Sequence, residues 1–543
     1  MSEQILLYDT TLRDGTQGEY VNLSAEDKFK IARKLDDFGI HYIEGGWPGS
    51  NPKDVRFFDM VRNCRFETSR LSAFGSTHRP GTPPEADQNI QALLKAETPA
   101  VTVFGKCWDL HASGILGISL DENLDLIHDT ILYLKGESRE VIFDAEHFFD
   151  GFKGNPAYAL STLEAAQTAG ADRVVLCDTN GGAMPDDIRT TMENVTSRFQ
   201  VPIGIHTHND CGLALANSLI AVLSGATMVQ GTVNGYGERC GNADLVAVMG
   251  NLQIKMGFQC VPEENQGQLT ELSRFVSEVA NIPPFNQRPF VGKSAFAHKG
   301  GVHVSAILKQ PSAYEHIRPE QVGNRRRVVV SDLSGRSNIE YKSREMGVAL
   351  GGNGYSSEKI VREIKRLEDE GYQFDAAEGS LELLIRRATG QFKDPFALQS
   401  FRVTTEKDGS GESTSQATIK IRVGEDDEIT AAEGEGPVNA LDNALRKALA
   451  TFFPKIREMG LVDFKVRVID GSEATAAKVR VQIESRDARE IWTTIGVSEN
   501  VIEASWQALV DSVHYKLLKE IRGSENLSDK GPGTSSSPGF GER

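Results

Sequence analysis

The sequence predicts an α/β protein: a (β/α)8 barrel (the TIM-barrel architecture), then a mainly helical connector, then a C-terminal α/β domain of two pseudo-symmetric β-β-β-α halves. Three observations point there. Short β-rich runs alternate with helical patterns eight times between residue 5 and about residue 255, which matches the size and count of a (β/α)8 barrel. Polar residues gather at the C-terminal ends of those runs, the face on which such barrels work. Residues 395–522 carry an internal repeat. An open doubly wound sheet is the alternative for the first region, but the even count and the lack of a sheet-edge signature favour closure.

The strand candidates are 5–12, 42–47, 71–77, 100–107, 140–148, 173–180, 202–208 and 228–235. Each is followed by a helical pattern. The first, 24–38, opens on Ser24-Ala25-Glu26-Asp27, which has the form of a capping box. Residues 256–390 are mostly helical, with a Gly/His-rich stretch at 292–305 and a helix pair near 357–370 and 380–388. In the last region, EITAAEGEGPVNALDNALRKAL (428–449) repeats as EIWTTIGVSENVIEASWQALVDSV (490–513). Ile429 pairs with Ile491 and Gly434 with Gly496, an offset of 62 that slips by a residue or two in the helix. Such a module is expected to self-associate. The expected domains are 1–270, 271–392 and 393–522, with a Gly/Ser/Pro-rich tail, 523–543, expected to be disordered.

Composition excludes several classes of function. The 543 residues hold 59 Lys+Arg against 76 Asp+Glu, a net charge of −17. That balance argues against sequence-independent nucleic-acid binding and against docking on anionic membranes. No apolar run approaches the ~20 residues a membrane span needs. The N-terminus lacks the basic and apolar regions of a signal peptide. Six scattered cysteines (64, 107, 177, 211, 240, 260) form no CxxC pair, which fits a reducing, cytoplasmic setting.

His206-Thr207-His208 is the most pointed local signal. Residues i and i+2 of a strand face the same side, so two imidazoles converge either on a divalent metal or on each other as a hydrogen-bonded pair. The first strand ends in Asp9-Thr10-Thr11-Leu12-Arg13-Asp14-Gly15. Asp14 could add a hard oxygen ligand, and Arg13 could stabilise a developing oxyanion; the bland alternative is a surface Arg–Asp turn. In the loop after strand eight, Asn242 could complete a ligand set with its amide oxygen. Glu44 and Glu146 end strands two and five, where either could brace Arg13 or a ligand. Thr179, after Asp178, could hold a substrate carboxylate. Among the pocket-wall candidates are Phe104, Asp144 and Glu146. Outside the barrel, His298 or His303 could act as a general base near neutral pH, and Tyr314 could act as acid or orienter.

DTTLRDGTQ (9–17), HTHND (206–210), NGYGERCGNA (234–243) and FAHKGGVHVSA (296–306) together resemble the 2-isopropylmalate, homocitrate and citramalate synthases, the metal-dependent Claisen-condensing barrels. The resemblance covers roughly residues 4–522, and the C-terminal repeat is similar to the group's dimerising and regulatory domain. Within the group, EGGWPGSNPKD (44–54) and AAEGEGPVNALDNALRKAL (431–449) look most like the long-form (R)-citramalate synthases.

The resemblance implies a reaction in which acetyl-CoA, pyruvate and water give citramalate and CoA. It implies a divalent metal (Mg, Mn or Zn) held by Asp14, His206, His208 and Asn242. Arg13 would share the alkoxide charge, oriented by Glu146. Thr179 would hold the carboxylate. His303 would remove a methyl proton from acetyl-CoA, acting across a homodimer, with Tyr314 nearby. The last domain would sense isoleucine, the pathway's end product. The nearest alternative is a 2-isopropylmalate synthase; others are a metal-dependent aldolase or lyase and a non-catalytic amino-acid sensor.

Overall fold

A computed structural model describes residues 3–350, 356–407, 409, 411, 413–469 and 477–528. The chain divides into two compact units: one runs to Phe296 and includes Ile317–Arg326, and the other holds Ala297–His316 and the chain from Arg327 onward.

In the first unit eight parallel strands pair in sequence order: β1 (Leu6–Asp9), β2 (Tyr42–Gly46), β3 (Arg70–Ser76), β4 (Ala100–Lys106), β5 (Glu140–Glu146), β6 (Arg173–Asp178), β7 (Ile203–Thr207) and β8 (Met228–Gly231). Pairing of β8 with β1, Leu6 against Met228 and Asp9 against Gly231, closes the barrel.

Period-two alternation builds two layers from the same strands. Leu7, Ile43, Val101, Val103, Val141, Phe143, Leu176 and Ile205 belong to the large outer core with the helices. The alternate positions Tyr8, Tyr42, Ala100, Ile142, Val175 and Met228 form a separate inner cluster. Two residues further along, the inner positions turn polar while staying buried: Glu44, Thr102, Asp144, His206 and Gln230. Buried polar groups need partners, and these have them. The Tyr8 hydroxyl donates to Glu44 Oε1 at 2.9 Å and lies 2.7 Å from Thr102 Oγ1.

The first helix, Ala25–Phe38, has its capping box: Asp27 N donates to Ser24 Oγ at 3.1 Å, and Ser24 N donates to Asp27 Oδ2 at 3.2 Å. The strands stop short of the sequence expectation at their C-terminal ends. β1 ends at Asp9 rather than 12, and β8 at Gly231 rather than 235. The polar residues there fold into turns that carry the site.

In the second unit two short strands, β9 (Ala297–His298) and β10 (Arg327–Val328), pair in parallel. Helices Gly301–Lys309, Arg336–Glu345, Ser357–Asp369 and Glu378–Thr389 make the connector. Two antiparallel sheets follow. The first is β11 (Ala397–Lys407), β12 (Ser413–Val423) and β13 (Asp426–Gly434), leading into helix Pro437–Leu449. The second is β14 (Gly460–Val468), β15 (Val479–Arg486) and β16 (Ile491–Ser498), leading into helix Val501–Ser528. The halves share one core, in which Leu441, Leu445 and Leu449 meet Trp506, Leu509 and Val513.

The repeat is real, but its register differs from the expected one. Ile419 lies opposite Thr430 in the first sheet, and Ile483 opposite Thr494 in the second. Thr430 Oγ1 donates to the Ala444 carbonyl at 2.9 Å, and Thr494 Oγ1 to the Ala508 carbonyl at 2.7 Å. Equivalent residues are therefore 64 apart, so Gly496 matches Ala432, not Gly434. The last helix also continues to Ser528, into the segment expected to be disordered; 529–543 lie outside the described residues. All six cysteines are free thiols, and among the described residues no helix is long and apolar enough to cross a membrane.

Candidate active site

The turn after β1 is shaped by its own side chains. Asp9 accepts from Thr11 N at 2.9 Å and from Thr11 Oγ1 at 2.8 Å, and Thr11 Oγ1 accepts from Val233 N at 2.9 Å. Arg13 N and Gly15 N then both donate to the Thr10 carbonyl, at 3.1 and 3.0 Å. This compact turn brings Arg13 and Asp14 to the end of the barrel. The loop after β8 needs glycine where it folds back. A side chain on Gly241 would come 2.0 Å from the Gly235 carbonyl oxygen, and one on Gly237 would come 2.5 Å from the Asn242 amide. That folding places Asn242 in a β-bridge with His208.

Asp14, His206 and His208 converge, all buried. His206 Nε2 lies 3.3 Å from His208 Nε2 and 3.5 Å from Asp14 Oδ2, and His208 Nε2 lies 4.0 Å from that oxygen. Burial opposes the charge on Asp14, yet the Arg13 guanidinium holds its carboxyl below the usual range, with help from the Asn242 amide. Burial and the neighbouring His206 push His208 down to about 3, and burial lowers His206 as well. Both imidazoles are therefore neutral, the form that binds metals. Among the described residues, Asp14 Oδ1 and Asn242 Oδ1 are buried without a hydrogen-bond partner. Two imidazole nitrogens, a carboxylate and an unpartnered amide oxygen fit a divalent cation.

Arg13 lies beside this trio. Its Nε donates to Glu44 Oε2, its Nη1 is 3.5 Å from Asp14 Oδ2, and its guanidinium carbon sits 3.8 Å from the centre of the Phe74 ring. Burial disfavours its charge, but Glu44 and Asp14 more than compensate and raise its pKa. Phe74 stacks on Phe104 at 5.4 Å, and Trp47 meets both edge-on at 5.8 and 5.5 Å. Phe104 is thus one wall of an aromatic box.

Relatives place this barrel. An HMGL-like family model matches residues 4–276, a homocitrate synthase post-HMGL domain-like model residues 290–372, and a LeuA allosteric (dimerisation) domain model residues 375–517. The chain is 55% identical over 522 residues to the (R)-citramalate synthase of Aquifex aeolicus and 53% identical over 524 residues to that of Geobacter sulfurreducens. Each match covers 96% of this chain and 99% of the relative. The chain belongs to the (R)-citramalate synthase family. A probable 2-isopropylmalate synthase of Methanopyrus kandleri is more distant, at 33% over 518 residues, covering 95% of this chain and 98% of that one.

Against the expectations for a citramalate synthase, one role changes hands. Glu146 does not brace Arg13: it pairs with Lys106, and Glu44 holds the guanidinium. The reason is topological, since β2 borders β1 whereas β5 does not. Asp144 is buried and bonded to Gln230, whose amide nitrogen donates to Asp144 Oδ1 at 2.9 Å. Thr179 Oγ1 accepts from His147 N at 2.9 Å, and the Thr179 carbonyl accepts from Arg239 Nη2 at 2.7 Å. In the second unit, His303 lies in helix Gly301–Lys309 and its ring stacks on Tyr314 at 4.3 Å. His298 Nε2 sits 3.2 Å from Glu315 Oε1.

Sequence reasoning missed Trp47, Phe74 and Gln230. The signal for Gln230 was present: it stands two residues after Met228 in a strand, so it shares the inward face.

Proposed function

We propose that the barrel mouth joins the methyl carbon of acetyl-CoA to the keto carbon of pyruvate, and that water then cleaves the thioester to give (R)-citramalate and CoA. The observation that carries this reading is the convergence of Asp14, His206 and His208 beside a guanidinium clamped by Glu44, in a chain of the (R)-citramalate synthase family.

Asp14, His206, His208 and Asn242 would hold a divalent cation, Mg, Mn or Zn. When bound, it supplies Lewis-acid polarisation of the 2-oxo acid and a template for its oxygens. Arg13 donates N–H bonds to the oxygen that gains charge as the new C–C bond forms. Its guanidinium is already fixed by Glu44 and Phe74, so little reorganisation is needed at that moment. Thr179 binds the pyruvate carboxylate. His303 takes a methyl proton from acetyl-CoA, with Tyr314 stacked against it, and acts on the partner subunit of a homodimer. Trp47, Phe74 and Phe104 crowd the mouth, which favours the methyl of pyruvate over the branched chain of 2-oxoisovalerate.

The C-terminal domain, matched by the LeuA allosteric (dimerisation) model, mediates dimerisation and binds isoleucine as a feedback effector. The reaction then opens the pyruvate route to that amino acid. Six free thiols accord with a cytoplasmic site of action.

The test is thiol release from acetyl-CoA with pyruvate, 2-oxobutyrate, 2-oxoisovalerate and 2-oxoglutarate side by side. Pyruvate should give the highest kcat/KM. A preference for 2-oxoisovalerate would replace this reading with 2-isopropylmalate synthesis.

A further inference from the structure

One buried chain of hydrogen bonds runs behind the metal-ligand cluster and has no role in the reaction described above. The side-chain amide of Gln230 is bonded at both ends. Its oxygen lies 2.9 Å from His206 Nδ1, and its nitrogen donates to Asp144 Oδ1 at 2.9 Å. All three residues are buried.

The chemistry of the three groups makes this chain directional. In the structure the NH2 of Gln230 faces Asp144 and its carbonyl faces His206, and a carboxyl group, which keeps an acceptor oxygen in either protonation state, suits that NH2. Asp144 therefore draws the NH2 end of Gln230 toward itself and turns the carbonyl toward His206. A carbonyl only accepts, so the His206 Nδ1 must carry the ring proton. The lone pair is then on Nε2, the nitrogen that faces Asp14 Oδ2 and His208 Nε2. His208 has no such support, because its buried Nδ1 has no hydrogen-bond partner among the described residues. His206 is the pre-oriented imidazole of the pair.

We propose that Gln230 is a positioning residue for His206, holding it in the Nδ1–H tautomer that leaves Nε2 free to bind the metal, and that Asp144 acts through Gln230 by fixing which way its amide points. Asp144 thereby belongs to the support of the ligand and not to the wall that selects the 2-oxo acid. The inference rests on the reading of Asp14, His206 and His208 as metal ligands.

The test measures Mn2+ affinity by calorimetry on metal-stripped full-length protein, alongside kcat and KM for pyruvate. Gln230→Leu and Asp144→Leu should each weaken Mn2+ binding by about 10–100-fold, the usual effect of removing a residue that supports a metal ligand. Asp144→Asn keeps an acceptor oxygen and should bind Mn2+ more tightly than Asp144→Leu. The double variant Asp144→Asn, Gln230→Glu exchanges donor and acceptor between the two positions while leaving an acceptor for His206 Nδ1, and should restore Mn2+ binding lost in Gln230→Leu. Parental Mn2+ affinity in both leucine variants, with KM for pyruvate raised in Asp144→Leu, overturns the proposal and returns Asp144 to the substrate wall. If the leucine variants fail to fold, the double variant decides: Mn2+ binding no better than about a hundredth of the parent's overturns the proposal. His206→Ala is the control, because retention of Mn2+ there refutes the ligand assignment itself.

Discussion

Replacing Glu44 with glutamine should cripple the enzyme, while the same change at Glu146 should leave it nearly intact. Glu44 is fully buried, bonded through one oxygen to the Tyr8 hydroxyl and through the other to Arg13. Glu44→Gln would keep the volume and the Tyr8 bond, but the new NH2 would face the Arg13 Nε–H, donor against donor. Removing one partner of a buried ion pair costs about 3–5 kcal/mol, and the Arg13 and Glu44 side chains are only 13% and 0% exposed. A guanidinium that relaxes by ~1 Å no longer meets the developing charge, at a cost of about 100-fold in rate, or about 2.7 kcal/mol. The Lys106–Glu146 pair is 22% and 23% exposed. Solvent screening limits such a pair to about 1 kcal/mol, or about fivefold. The assay is CoA thiol release with pyruvate, with bound metal measured on the same samples. Glu44→Gln should lose about 100-fold in kcat at near-parental metal content, and Glu146→Gln no more than about fivefold. The reverse order would refute the assignment of the brace to Glu44.

Three further outcomes are expected. Gly496→Ala would put a methyl carbon 2.1 Å from the Ala504 carbonyl, and Gly434→Ala one 2.4 Å from Ala440 N. Each should push a helix off its sheet, cost about 1–3 kcal/mol or more and lower the first thermal transition in calorimetry. Burial, opposed by Asp394 and aided by the weaker effect of Arg387, holds His514 down at about 4. Below pH 6.5 the unfolded chain binds a proton there that the folded chain refuses, so stability falls as pH drops from 6.5 toward 4, by about 3 kcal/mol. Urea unfolding at pH 7 and pH 4.5 should show that loss in the parent and less of it in His514→Gln. Isothermal titration should give heat with isoleucine and little with leucine; silence for both would leave a purely dimerising C-terminal domain.

Much of this was legible in the residues. Short β-rich runs alternating with helical patterns announced eight strands, and Ser24 with Asp27 marked a helix start. His206 and His208, two apart on a strand, announced converging imidazoles. What escaped was lateral. Glu44 and Glu146 both stand on inward faces, and only the neighbour order of the barrel, β2 beside β1, decides which one reaches Arg13. The repeat register escaped for a related reason. Offsets of 62 and 64 differ by two residues, and a two-residue slip leaves every side chain on the same face of its strand. Hydrophobic pattern cannot separate them; the bonds of Thr430 and Thr494 to their helices can.

The two-layer construction of the barrel strands has a consequence for descent. Leu7, Val103, Phe143 and Ile205 tie the strands to the helices, while the alternate positions face the barrel interior, apolar at first and polar nearer the site. Structural integrity and chemical choice are thus inherited through alternate letters of the same short words. On the proposed reading, a lineage can alter Phe104 to admit a bulkier acceptor without disturbing what keeps the barrel folded. Drift in acceptor preference then needs few substitutions and no change of architecture.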